Sequence, residues 1–136
     1  MSLNFDDYGA VMFQKDGFEK NNERWKKPIH FKPIRQENYI YLDSLASLFS
    51  LKGIEFIYVQ TPIRKGMLND GYSENIIKHI DKIKAILGKY PNTFFVDGTK
   101  RIWSDSLFVD TQHFNSVGAE VFSNYFLTEY LNLKNQ

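Results

Sequence analysis

Two apolar runs separated by one amphipathic segment constrain this chain more than any other feature. "IEFIYV" at 54–59 and "TFFV" at 93–96 are rich in β-branched and aromatic residues, which fit the pleated surface of a buried strand. Between them, Ile76, Ile77, Ile80, Ile83 and Leu87 recur at helical spacing, so the spacing predicts a helix with one apolar face. Ser73 is the expected N-cap, Tyr72 and Ile77 a candidate hydrophobic staple, and Gly88 with Pro91 the stop signal. A strand, a helix and a strand in that order predict two parallel neighbours joined by a right-handed crossover. Their C-terminal ends then share one edge, where open α/β sheets bind ligands.

Two further helices flank this unit. Leu42, Leu45, Ala46 and Phe49 mark the first, with Gly53 placed to end it in a left-handed conformation. The last starts near Ser116 and is expected to bury Val117, Val121, Phe122 and Tyr125. The fold class is therefore α/β. Residues 1–36 have neither period and read as an irregular segment or linker, with a short strand near "YGAVMF" and a basic-aromatic cluster, "RWKK", around Trp25. The remaining 37–136 form the folded α/β part.

Composition removes several kinds of function. Seventeen basic against 16 acidic residues leave a net charge of +1, so there is no global electrostatic case for nucleic acid or an anionic membrane surface. The absence of cysteine excludes disulfides, a thiol nucleophile and thiolate-bound zinc. No run approaches the roughly 18 apolar residues of a membrane span. The N-terminus lacks a basic-then-apolar signal pattern. Compartment stays open between cytoplasmic and extracytoplasmic.

The crossover topology brings loops 61–72 and 97–115 together, placing Asn69, Asp70, Asp97, Asp105, Asp110 and His113 on one rim. Within it, "DTQH" sets Asp110 three residues before His113. An imidazole is a general base near neutral pH, and a carboxylate on its Nδ1 fixes the tautomer and stabilises the imidazolium that forms. Three-residue spacing on a tight loop supplies that pairing locally. Asn115 or Ser116 is placed to cap the last helix, and Gly118 to allow close helix–sheet packing.

"FVDTQHFNSVGAEVFSNYFL" resembles the C-terminal block of the SGNH (GDSL-like) hydrolase superfamily, whose signature is D-x-x-H, an apolar residue, a small or Asn residue, and Gly before the last helix. The matching residues are Asp110, His113, Phe114, Asn115 and Gly118. "GIEFIYVQTPI" is similar to a central strand of that family and "NTFFVDG" to the short strand before its catalytic block, so the likeness spans 37–132. It implies a three-layer, flavodoxin-like parallel sheet with helices on both faces, here in part. It also implies that Asp110 and His113 are the Asp and His of a Ser-His-Asp triad. The substrate class would be an ester- or acyl-bearing small molecule or carbohydrate, with no cofactor and no metal.

The family's Gly-Asp-Ser motif is not present, nor is a G-x-S-x-G elbow. "LDSL" at 42–45 lies in a helical pattern, and "GMLND" at 66–70 does not match the family's G-x-N-D block. Two strands also make a narrow sheet for helices on both faces. The expectation is thus a C-terminal part of a larger hydrolase, or a reduced relative that self-associates to cover an incomplete sheet. Two alternatives stay open. One is a non-catalytic accessory or interaction module of the same fold. The other is a metal-dependent hydrolase using Asp97, Asp105, Asp110 and His113, since oxygen-rich sites with one imidazole suit magnesium or manganese.

Overall fold

A computed structural model describes residues 4–5, 11–12, 34–67, 70–110 and 112–135. A two-residue ladder pairs β1 (Asn4–Phe5) antiparallel to β2 (Val11–Met12). The rest runs α1 (Gln36–Leu51), β3 (Phe56–Gln60), α2 (Asp70–Leu87), β4 (Thr93–Asp97) and α3 (Ser116–Lys134). Trp25 and its basic neighbours lie outside the described residues.

β3 and β4 pair in parallel, from Phe56 opposite Thr93 to Gln60 opposite Asp97. The class is therefore α/β, with a parallel sheet of two strands and three helices among the described residues. Side chains alternate across a sheet, and the consecutive Phe94 and Phe95 show where each face goes. Phe95 packs against the buried cluster that Tyr39 and Ala46 of α1 form with Ile83, Ile86 and Leu87 of α2. Phe94 instead meets the ring of Tyr130 in α3, with centroids 5.6 Å apart and planes near perpendicular.

α2 buries Ile76, Ile80, Ile83 and Leu87, one stripe at helical spacing. Each such side chain contributes about 1.5–3 kcal/mol when withdrawn from water. Ile77, expected on that stripe, is 57% exposed. The helix also starts earlier than its apolar pattern, at Asp70, so Ser73 lies inside it rather than at its cap. In α1 the buried residues are Tyr39 and Ala46, while Leu45 joins Ile40, Tyr41, Leu48 and Leu51 on an exposed apolar face. Gly53 does take the left-handed conformation, at φ 65°. No helix of the described residues is long and apolar enough to cross a membrane.

His79 of α2 is buried at the junction of three elements. Its Nδ1 lies 2.9 Å from the hydroxyl of Tyr39 in α1, and its Nε2 lies 3.4 Å from that of Tyr58 in β3. Burial pushes the imidazole below its ordinary value and both phenols above theirs. His79 therefore ties α1, α2 and β3 together at this junction.

Candidate active site

The pairing of the two strands does not stop with the sheet. Beyond Gln60, Arg64 lies opposite Trp103 in the same parallel sense, and the Lys65 amide donates to the Trp103 carbonyl at 3.0 Å. The loops after β3 and β4 are thus adjacent, as the crossover topology requires. An ion pair between Arg64 and Asp105 at 3.3 Å links them again, and the Gly66 amide donates to the same carboxylate at 3.4 Å.

The chain from Phe108 to Phe114 forms a tight hairpin. Phe108 and Phe114 are antiparallel partners, the Val109 amide donates to the His113 carbonyl at 2.9 Å, and the two rings are 4.6 Å apart. Inside the turn, Asp110 Oδ1 accepts the backbone amides of Gln112 and His113, both at 2.8 Å. Asp110 Oδ2 accepts from His113 Nδ1 at 2.7 Å. Asp side chains favour turns of this kind because the carboxylate captures amides that would otherwise face solvent.

Four things act on the Asp110 carboxyl. Partial burial pushes its pKa up, but the Gln112 amide, the His113 ring and the His113 amide together hold it below the ordinary carboxylate value. It is therefore ionised at neutral pH and can only accept. The proton of a neutral His113 then sits on Nδ1, leaving Nε2 as the basic nitrogen, the tautomer a general base needs. Both side chains are open to solvent, His113 at 59% and Asp110 at 51% exposure.

An aromatic cluster anchors this turn. Trp103 is fully buried, its indole N–H donates to the Gly98 carbonyl at 2.6 Å, and it packs against Phe114, Phe122 and Tyr125. Asn115 is buried and joins turn to helix. Its Oδ1 accepts the Gly118 amide at 2.9 Å, capping α3, while its Nδ2 donates to the Ser106 carbonyl at 2.8 Å. Gly118 is needed for close approach, though to a loop and not to the sheet. A Cβ there would overlap the Leu107 carbonyl oxygen and the Phe114 ring.

The other rim residues have different employment. Asp97 is buried, and its Oδ1 accepts the Thr99 amide at 2.9 Å and the Thr99 hydroxyl at 2.6 Å, capping the turn at 98–100. Asp105 serves Arg64 and Gly66. Asn69 and the side chain of Asp70 lie outside the described residues, as does the Tyr72–Ile77 staple. No group of three or more His, Asp or Glu side chains among the described residues could hold a metal ion. The carboxylates of the metal reading are thus spread along the rim, each with a separate partner.

The "LDSL" residues are committed to α1. Ser44 donates to the Ile40 carbonyl at 3.0 Å, while Asp43 accepts from Lys89 at 3.1 Å and Tyr90 at 2.9 Å. Ser104 and Ser106 lie on the rim, with their hydroxyls 2.9 Å from each other. A cavity of about 350 Å³ opens elsewhere, lined by Tyr39, Asn75, Lys78, His79 and Lys82 among others, and includes neither Asp110 nor His113. No protein-family model, curated protein or solved structure matches this chain.

Arg64 and Trp103 are the rim residues that pattern reading misses. Each owes its role to a partner on a different segment, and no spacing in the sequence announces such a partner. An Arg immediately after a strand and its Pro-containing stop was the available signal.

Proposed function

We propose that Asp110 and His113 are the acid–base pair of an SGNH-type serine ester hydrolase or acyl-transfer domain. The observation that carries the reading is the double hold of Asp110 on His113, at Nδ1 and at the backbone amide. In this reaction His113 Nε2 takes the proton of a serine hydroxyl as the oxygen attacks an ester carbonyl. Asp110 stabilises the imidazolium, which then protonates the leaving alkoxide. The substrate is an ester- or acyl-bearing small molecule or carbohydrate.

In the same reading β3 and β4 belong to a three-layer, flavodoxin-like sheet. The nucleophile is not identified among the hydroxyls described above. A wider sheet would supply it together with oxyanion donors, through further chain or through self-association. The exposed apolar face of α1, with Tyr41, Leu45 and Leu48, supports association. A second reading, a non-catalytic module of this fold, is favoured by the missing Gly-Asp-Ser motif.

Fluorophosphonate labelling mapped by mass spectrometry, on this chain and on any longer chain or assembly that contains it, separates the two. One serine modified in the wild type and lost in His113→Ala is the expected result wherever the nucleophile is present. Absence of labelling in every form would favour the module.

A further inference from the structure

We propose that Arg64 and Asp105 are positioning residues for His113, acting through the 105–107 turn and Asn115. Arg64 is 3% exposed although it lies just outside the sheet, and its charge faces Asp105, whose side chain is 41% exposed. A buried guanidinium needs a compensating charge, so Asp105 is held where Arg64 can reach it. The Gly66 amide adds a second hold on the same oxygen.

Asp105 begins the 3₁₀ turn Asp105–Leu107, so fixing Asp105 fixes the turn. Its next two carbonyls are the ones that grip the base of the His113 hairpin. The Ser106 carbonyl accepts from Asn115 Nδ2 at 2.8 Å, and the Leu107 carbonyl accepts the Asn115 amide at 3.0 Å. Asn115 is two residues from His113 and caps α3. Gly118 rests on the same Leu107 carbonyl, so the helix end has no room to slide. The path from Arg64 to His113 thus runs through one ion pair, the 105–107 backbone, two hydrogen bonds to Asn115 and the two residues that follow His113. It gives the loop after β3 control over where the Asp110–His113 pair stands.

This inference rests on the His113–Asp110 pairing and not on the reaction assigned to it, so its test needs no substrate. The full chain, labelled with ¹⁵N and ¹³C, is compared with Asp105→Asn and Asp105→Glu. In alkaline solution, where the imidazole is neutral, its two ¹⁵N shifts report the tautomer. Wild type is expected to show His113 with its proton on Nδ1, and Asp110 titrating below an ordinary carboxylate. In Asp105→Asn the two ¹⁵N shifts of His113 should converge, and the Asp110 ¹³C midpoint should rise. Asp105→Glu should restore both. The His79 resonances, from the junction of α1, α2 and β3, should not move in either variant.

A variant that lowers the unfolding midpoint while leaving the His113 tautomer and the Asp110 titration unchanged would overturn the proposal, leaving Arg64–Asp105 a simple staple. Should Asp105→Asn lose the dispersed His79 signal, Arg64→Lys, which keeps a cation in place, decides by the same two readouts. Fluorophosphonate labelling can fail without changing any of these results, so the two readings fail separately.

Discussion

Asp110 holds His113 at two points, accepting from its ring nitrogen at 2.7 Å through one carboxylate oxygen and from its backbone amide at 2.8 Å through the other. Orientation of the imidazole and shape of the turn are therefore coupled through the Asp110 side chain. A carboxylate that only oriented the ring could be replaced without disturbing the backbone, and this one cannot.

That dependence has a pH signature. The folded-state pKa of Asp110 is lowered, so its stabilising contribution is complete above the ordinary carboxylate value and is lost as pH falls through the lowered one. Wild type should be more stable than Asp110→Asn at pH 7. The gap should hold down to about pH 5 and narrow below pH 4. Urea titrations across this range check it, and a gap that stays constant to pH 2 would count against the turn geometry.

His79 predicts a pH dependence in a higher range. Burial lowers its pKa, so the unfolded chain binds a proton more readily than the folded one once pH drops below about 6.5. Stability should therefore fall on acidification from pH 6.5, before the carboxylates titrate. His79→Phe should flatten that slope relative to wild type. A parallel slope in the two proteins would show that the imidazole is not kept neutral.

Gly118→Ala should cost about 2 kcal/mol or more, because the added methyl meets backbone on the other side and neither partner can yield cheaply. Chemical denaturation measures the loss. The wild-type unfolding midpoint in this variant would mean that α3 and the 105–107 turn are further apart than described.

Asn115→Ala removes the cap of α3 and the bond to the Ser106 carbonyl together. A lost cap costs about 1 kcal/mol and a lost hydrogen bond to a carbonyl about another. The expected effect is near 2 kcal/mol, with the first turn of α3 exchanging its amide protons faster than the rest. Asn115→Asp keeps the cap and should recover about half the loss. Uniform exchange along α3 in the alanine variant would argue against a capping role.

The exposed face of α1 gives a prediction about assembly. If that face mediates self-association, a Leu45→Glu, Leu48→Glu double variant should sediment as a smaller species than wild type at the same concentration. Identical sedimentation at high concentration would remove α1 from the account.

The strand–helix–strand unit was legible because each piece carries its own period: two β-branched runs and an isoleucine stripe. The C-terminal ends of β3 and β4, the adjacency of their loops and the capping Asn115 follow from that topology and from local turn chemistry. Details that depend on neighbours did not follow. Ile77 and Leu45 fit the helical count yet face solvent, because the surfaces that would cover them are not those of β3 and β4. α2 begins in polar residues that a hydrophobic pattern cannot register, which moves Ser73 inside the helix. Gly118 announced a close contact, expected with the sheet, whose partner is instead a carbonyl on the preceding turn. Arg64 carries no signal in the pattern, since its ion pair is with an acid far along the chain.

The parallel pairing of β3 with β4 also separates two ranges of contact. Parallel strands need a crossover between them, so their pairing is long-range and slow to close. The Asp110–His113 contact spans three residues and needs no crossover. The pair is set locally and aimed from a distance.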